Sequence, residues 1–175
     1  KLEFLKWARE VKHCEWDEKT INNAVFEGNL EMLKYCFSNG CPCDEKESCA
    51  RAALKGHLDC LRFLFDKVKP SRETEKDAAI QAGVYGHLDI MKYFVEERKR
   101  SDDLKFNYLV ASAAMHGKLD CLKYLVEEAK VPLNHGDFIA CARYYERHEC
   151  LNYLLENGCP EPTDEEYVAF VLQRG

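Results

Sequence analysis

At 175 residues, with 46% hydrophobic and 32% charged side chains, the chain has the composition of an ordinary folded, soluble protein. No apolar run in it approaches the length of a membrane span, which argues against a membrane partner. The net charge of −6 argues against a nucleic-acid partner, because binders of nucleic acid usually carry a basic face.

The chain opens on Lys1-Leu2-Glu3-Phe4-Leu5-Lys6-Trp7, which matches Asn29-Leu30-Glu31-Met32-Leu33-Lys34-Tyr35 position for position. The same pattern returns after Gly56, after Gly86 and after Gly117, and in worn form after Glu146. These anchors lie 28 to 31 residues apart, a nearly fixed step that signals stacked repeats. Each repeat reads as helix, tight turn, helix and short loop. The first helices are predicted at 18–27, 45–55, 73–85, 104–116, 137–146 and 164–173. Asp44 with Glu47 and Thr163 with Glu166 have capping-box spacing, and Asp17 and Ser71 are candidate N-caps. Ile21, Cys49, Ala79, Val110 and Ile139 are the expected core positions, followed three residues on by Ala24, Ala52, Ala82, Ala113 and Ala142. A small residue held at one register lets neighbouring helices approach closely.

The glycine is expected to end the first helix in a left-handed conformation. Glu146 replaces it in the fifth repeat, so that turn is expected to take another shape. Second helices carry Leu at the third place, an apolar pair such as Cys60-Leu61 or Ile90-Met91, and then an aromatic on the same face: Tyr35, Phe63, Tyr93, Tyr124 or Tyr153. Helices of about eleven residues are marginal alone, so the stack is the folding unit. The linkers are short and turn-like. Those at 98–104 and 130–137 are longer and more polar, and a surface bulge is expected there. The cluster Arg98-Lys99-Arg100, at a helix end, reads as a solvated face that suits the dipole.

The chain is read as one array, 1–175, with divisions near 1–16, 17–43, 44–71, 72–102, 103–134, 135–162 and 163–175. It begins on the second half of a repeat and finishes on a first half, Thr163 to Gly175, with no polar cap at either side. The expectation is a piece of a longer solenoid, covalently continuous with further repeats.

The small pair before each glycine (Ala52-Ala53, Ala82-Gly83, Ala113-Ala114), Gly-His-Leu-Asp at 56–59 and 86–89, and the apolar pair, Lys or Arg, and aromatic that follow resemble ankyrin repeats. The resemblance covers the whole chain. The period is shorter than the usual ~33, and no Thr-Pro-Leu-His opens a first helix. Gly-Cys-Pro at 40–42 and 158–160 stands where the long hairpin would be. In this the chain is similar to short, Cys-Pro-containing ankyrin repeats found in protist, algal and giant-virus families. Tetratricopeptide and HEAT arrays have longer periods and lack this glycine. The resemblance implies an all-α, ankyrin-type α-solenoid of helix-turn-helix repeats with shortened or absent hairpins.

Candidate chemistry is sparse. His57 with Asp59 and His87 with Asp89 suggest a catalytic pair, but Asn29 and Lys118 replace the histidine in sister repeats. A role that survives such exchange is not proton transfer, and no nucleophile, base and orienter converge. Cys36, Cys41, Cys43 and Cys49, with His13 and Cys14, suggest zinc. Cys41-x-Cys43 is too tight for a zinc knuckle, and Cys36 and Cys49 fall on core-facing positions. No cofactor or metal is therefore expected. Ten cysteines placed in core and loop slots fit a reducing compartment, the cytoplasm or the nucleus, better than secretion.

The two positions before each turn vary most: Phe26-Glu27, Leu54-Lys55, Val84-Tyr85, Met115-His116 and Tyr144-Tyr145. The resemblance places them along the concave groove that grips partners, and aromatic side chains are enriched at interface cores. Phe26, Leu54 and Val84 are expected to pack against the next repeat. Tyr85, His116, Tyr144, Tyr145, Glu27 and Lys55 are the candidate contacts, with Tyr144-Tyr145 foremost, and Asn23, Arg51, Gln81 and Ser112 are expected to flank them. The reading is a non-enzymatic protein-protein interaction module, an adaptor or scaffold. A structural spacer or subunit of a large assembly is the alternative, with a zinc protein or an enzyme behind it.

Overall fold

The computed structural model describes residues 1–98 and 106–174. Lys99 and Arg100, the linker residues 99–104, the boundary near 102 and the expected start of a helix at 104 lie outside the described residues.

Among the described residues there are twelve α-helices and no strand, so the protein is all-α. Two compact units divide inside one helix, at Ala78 and Ala79. The first holds α1 (Leu2–Glu10), α2 (Glu18–Phe26), α3 (Leu30–Ser38), α4 (Glu45–Lys55), α5 (Leu58–Val68) and the opening of α6 (Arg72–Tyr85). The second holds the rest of α6, then α7 (Leu88–Lys92), α8 (Asn107–Met115), α9 (Leu119–Lys123), α10 (Asp137–Tyr144), α11 (His148–Glu156) and α12 (Asp164–Leu172). In each unit, first helices stack on first helices and second on second. In the first unit α2 lies on α4 and α3 on α5; in the second α8 lies on α10, α10 on α12, α7 on α9 and α9 on α11.

Every expected core position is buried: Ile21, Cys49, Ala79, Val110 and Ile139, and the five alanines that follow them. Fully burying a leucine such as Leu61, Leu64 or Leu122 contributes about 1.5–3 kcal/mol. The alanines have a second task. The backbone N–H just past the turn donates to their carbonyl in every repeat: Asn29 to Ala24 at 2.9 Å, His57 to Ala52 at 2.9 Å, His87 to Ala82 at 2.9 Å, Lys118 to Ala113 at 2.9 Å and Arg147 to Ala142 at 2.8 Å. Gly28, Gly56, Gly86 and Gly117 are left-handed, as expected.

Glu146 corrects the expectation for the fifth turn. It adopts φ +56°, and the turn keeps the shape of its sisters. The Arg147 N–H bond to Ala142, with α11 packed against both α9 and α10, over-determines the geometry and holds a conformation that glutamate alone disfavours.

In three repeats the next residue ties the turn to its predecessor, whereas Asn29 at that position caps its own helix by accepting from the Met32 N–H. The His57 ring donates through Nε2 to the Phe26 carbonyl at 3.1 Å and lies over Gly28. The Arg147 Nε donates to the Met115 carbonyl at 3.1 Å and lies over Gly117, and the Lys118 stem covers Gly86. Histidine, lysine and arginine are interchangeable here because the role needs only reach, and in two cases an N–H.

Second helices end in two ways. In the short form, Gly40 or Gly158 is left-handed, and the N–H of Cys41 or Cys159 closes on the carbonyl five residues back, Cys36 or Leu154, at 3.0 Å. In the long form one residue is added. Cys14 closes on Ala8 at 3.0 Å and Val131 on Leu125 at 2.9 Å, six residues back, with His13 and Lys130 at positive φ; Lys69 is positive too. In the second unit the helix widens around its addition into π turns, Tyr93–Glu97 and Tyr124–Glu128. Cys41, Pro70, Val131 and Cys159 end buried in the same loop slot, whereas Cys14 is exposed.

Caps are partly as expected. Thr163 and Glu166 form the full capping box. Asp44 accepts from the Glu47 N–H, but the Glu47 carboxylate is taken by Asn22 and Arg51. Ser71 accepts from the Thr74 N–H. Asp17 stands at the N-cap without a side-chain bond, and its carbonyl accepts the Cys41 thiol.

Candidate functional site

The candidate residues are divided between the two units, Asn23, Glu27, Arg51 and Lys55 in the first and Gln81, Tyr85, Ser112, His116, Tyr144 and Tyr145 in the second. In the first, Asn23 and Glu27 line a cleft of about 300 Å³ with Lys1, Phe4, Leu5, Asn29 and Met32. The Lys1 ammonium bonds Glu27 and holds its carboxyl below the ordinary value. Arg51 is held by Glu47 through Nε and a terminal nitrogen. Phe26, expected to pack against the next repeat, is instead 42% exposed, with the Lys55 ammonium 4.1 Å from its ring centroid. Leu54 and Val84 are half-buried.

In the second unit Tyr85 is 49% exposed and stacks on His87, ring centroids 6.5 Å apart. The His116 Nδ1 donates to the Ser112 carbonyl at 2.9 Å. His116 also borders a polar cleft of about 200 Å³ with Gly117, Arg147, His148, Glu149 and Cys150. Tyr145 meets Tyr144 edge-on at 4.9 Å, while Tyr144 turns inward onto Phe170 at 6.1 Å. Gln81 is half-buried.

Ser112 needs correcting. It is buried against Gly83, and its hydroxyl donates to the Ile80 carbonyl at 3.4 Å, so it does not flank an open surface. The close approach of two helices at a glycine takes it out of solvent.

A buried polar group in the first unit is absent from the sequence reading. The Ser48 hydroxyl donates to Asn22 at 2.8 Å, the Asn22 amide donates to Glu47 at 2.8 Å, and the Cys43 thiol donates to Ser48 at 3.6 Å. It pins one first helix against the next. A polar side chain within an apolar stripe, Asn22 beside Ile21, was the available signal.

The His57 imidazole, half of a candidate catalytic pair, is spent on the Phe26 carbonyl. All ten cysteines are free thiols. Burial pushes Cys36 and Cys49 up to about 12, and Cys60, Cys121, Cys141 and Cys159 up to about 11, so they stay protonated at neutral pH. Among the described residues no three His, Cys, Asp or Glu side chains are grouped to hold a metal ion, and no helix is long and apolar enough to cross a membrane.

With this geometry in view, a family model described as "Ankyrin repeats (3 copies)" matches residues 50–135 and 79–165. The chain belongs to the ankyrin-repeat family. Ankyrin repeats are protein-protein interaction modules, and the family is generally non-enzymatic. No curated protein matches the chain. Among solved structures, a chain of the crystal structure of the yeast ribosomal protein Rps3 in complex with its chaperone Yar1 is similar at 22% identity, covering 84% of this chain and 96% of that one, with a TM-score of 0.32.

Proposed function

We propose that this protein is a non-enzymatic adaptor or scaffold that grips a protein partner through the concave side of its repeats. The contacts are the residues just before each turn: Tyr85, His116, Tyr144 and Tyr145, with Gln81 beside them, and Asn23, Glu27, Arg51 and Lys55 on the first unit's face. What supports the reading is Tyr85, a large aromatic left about half in solvent at the end of a first helix. Tyrosine in that setting gives a large, rigid contact area at low entropic cost. The net charge of −6 and the aromatic lining favour a protein over a nucleic acid. The buried, protonated thiols favour a reducing location, the cytoplasm or the nucleus.

The test is a pulldown with the wild-type chain beside Tyr85→Ala, His116→Ala and Tyr145→Ala. These variants should keep the far-UV circular dichroism and melting midpoint of the wild type while a specific partner is lost. Retention of every wild-type partner by all three variants refutes this face. That outcome leaves the spacer reading, in which the repeats hold distance rather than recognise.

A further inference from the structure

The fifth repeat departs from its sisters twice at one turn. Glu146 stands where they hold glycine, and His148 stands where they hold Leu30, Leu58, Leu88 and Leu119. Those four leucines are half-buried, whereas His148 is exposed at the first position of α11. The exchange adds an imidazole to the lining of the cleft of about 200 Å³ that His116 borders.

Three nitrogen-bearing side chains therefore share one small space within the second unit: His116, Arg147 and His148. Two of them are held in place. His116 Nδ1 donates to the Ser112 carbonyl at 2.9 Å, and Arg147 Nε donates to the Met115 carbonyl at 3.1 Å. Each bond uses one nitrogen and fixes the group that carries the others. An imidazole beside an anion favours its protonated form, in which both ring nitrogens donate. The cleft is also lined by the first turn of α11, whose N–H groups have no acceptor inside the helix. One carboxylate, Glu149, stands against these donors in the lining. A metal ion fits poorly. Among the described residues no three His, Cys, Asp or Glu side chains are grouped to hold one, and burial, with Glu149 adding to it, raises the Cys150 thiol.

We propose that this cleft is a carboxylate subsite, which takes an Asp or Glu side chain of the protein partner. The inference rests on the adaptor reading and deepens it, because His116 is one of the contacts named there. Guanidinium and imidazolium donors make short, directional, charge-assisted bonds to a carboxylate. The space of about 200 Å³ is smaller than the roughly 300–1,000 Å³ of small-molecule pockets and suits a single acidic side chain.

The test is an amide NMR titration of the full chain, in wild type, His148→Leu and Glu149→Gln. The probes are a short peptide carrying Asp and Glu, a matched peptide with Asn and Gln in their place, and inorganic phosphate. His148→Leu restores the residue of the sister repeats, so it should keep the fold, which circular dichroism checks, while removing a donor. The acidic peptide should shift the amides of residues 115–118 and 146–150 saturably, and the matched peptide should not. His148→Leu should weaken binding about tenfold, and Glu149→Gln, which removes the opposing charge, should tighten it several-fold. No saturable shift with the acidic peptide, an equal response to the matched peptide, or unchanged affinity in either variant overturns the proposal. Saturation by phosphate alone overturns it too, and makes the cleft a phosphate site. The pulldown keeps the two readings apart. A partner lost by Tyr85→Ala, beside a cleft that ignores the acidic peptide, removes the subsite and leaves the adaptor reading. Partners retained by Tyr85→Ala and Tyr145→Ala, beside the expected titration, remove the tyrosine face and leave the subsite.

Discussion

Gly28 and Gly40 are both left-handed, at φ +66° and +72°, but their surroundings differ. A Cβ built on Gly40 meets nothing within 4 Å, whereas one built on Gly28 falls 2.6 Å from the His57 ring. Alanine at either site incurs the left-handed strain of about 1–2 kcal/mol, offset by about 0.4–1 kcal/mol from a less flexible unfolded chain. Gly40→Ala should therefore cost only about 0.5–1 kcal/mol. Gly28→Ala must also push the imidazole off the Phe26 carbonyl, losing a hydrogen bond of about 1 kcal/mol and adding an overpacking cost of about 1–2 kcal/mol. The expected total is about 2–4 kcal/mol. Urea unfolding followed by far-UV circular dichroism measures both variants. A cycle with His57→Ala isolates what the imidazole adds, its hydrogen bond and its bulk together: in that background Gly28→Ala should cost no more than Gly40→Ala, a coupling of about 2–3 kcal/mol. Equal costs for the two single substitutions, or strict additivity in the cycle, would refute the claim that His57 seals the preceding turn.

Three further outcomes are expected. Glu146→Gly relieves a turn between paired helices where glutamate takes the place of the sister glycines, and should raise stability by about 0.5–1 kcal/mol after the glycine entropy is subtracted, a gain of about 1–3 °C in the thermal midpoint. A thiol reagent should titrate Cys14 quickly and Cys43 slowly, with the other eight reacting only after urea is added; several fast equivalents in the native protein would contradict the burial described above. Burial, and then the Glu127 carboxylate that accepts its hydroxyl at 2.9 Å, pushes Tyr153 up to about 12, and burial with Glu96 raises Tyr124 likewise. A folded value above the ordinary 10 means that this stability is whole below pH 10 and is lost as pH rises toward 12. The urea midpoint should fall across that window, less steeply in Tyr124→Phe/Tyr153→Phe, and a flat profile would contradict it.

Much of the fold was legible because the repeats test one another. A position that reads Ile21, Cys49, Ala79, Val110 and Ile139 in successive copies is small-to-medium and apolar whatever its identity, and all five are buried. The left-handed glycines followed from the same comparison. Glu146 did not, because an isolated residue preference is weaker than a turn held by the helices on both sides of it. Ser112 shows the opposite limit: its exposure depends on how closely a neighbouring helix approaches, which its own polarity does not report. Of the candidate contacts, Tyr85 stands open. Tyr144 packs on Phe170, and Arg51 and Glu27 are engaged by Glu47 and Lys1. Such pairings depend on rotamers and on neighbours about a repeat away, and alternation of polar and apolar residues carries neither.

The two lengths of the second-helix ending have a consequence of their own. An added residue moves the closing bond by one place and puts Lys130 where a glycine would otherwise bend, yet the plug residue, Cys159 in one case and Val131 in the other, still seats in the same slot. Each junction thus behaves as an expansion joint that takes up a change in chain length before it reaches the neighbouring module. Insertions at such joints can accumulate on the surface while the stacked helices keep their phase, so the outer edge of the protein is free to vary where its interior is not.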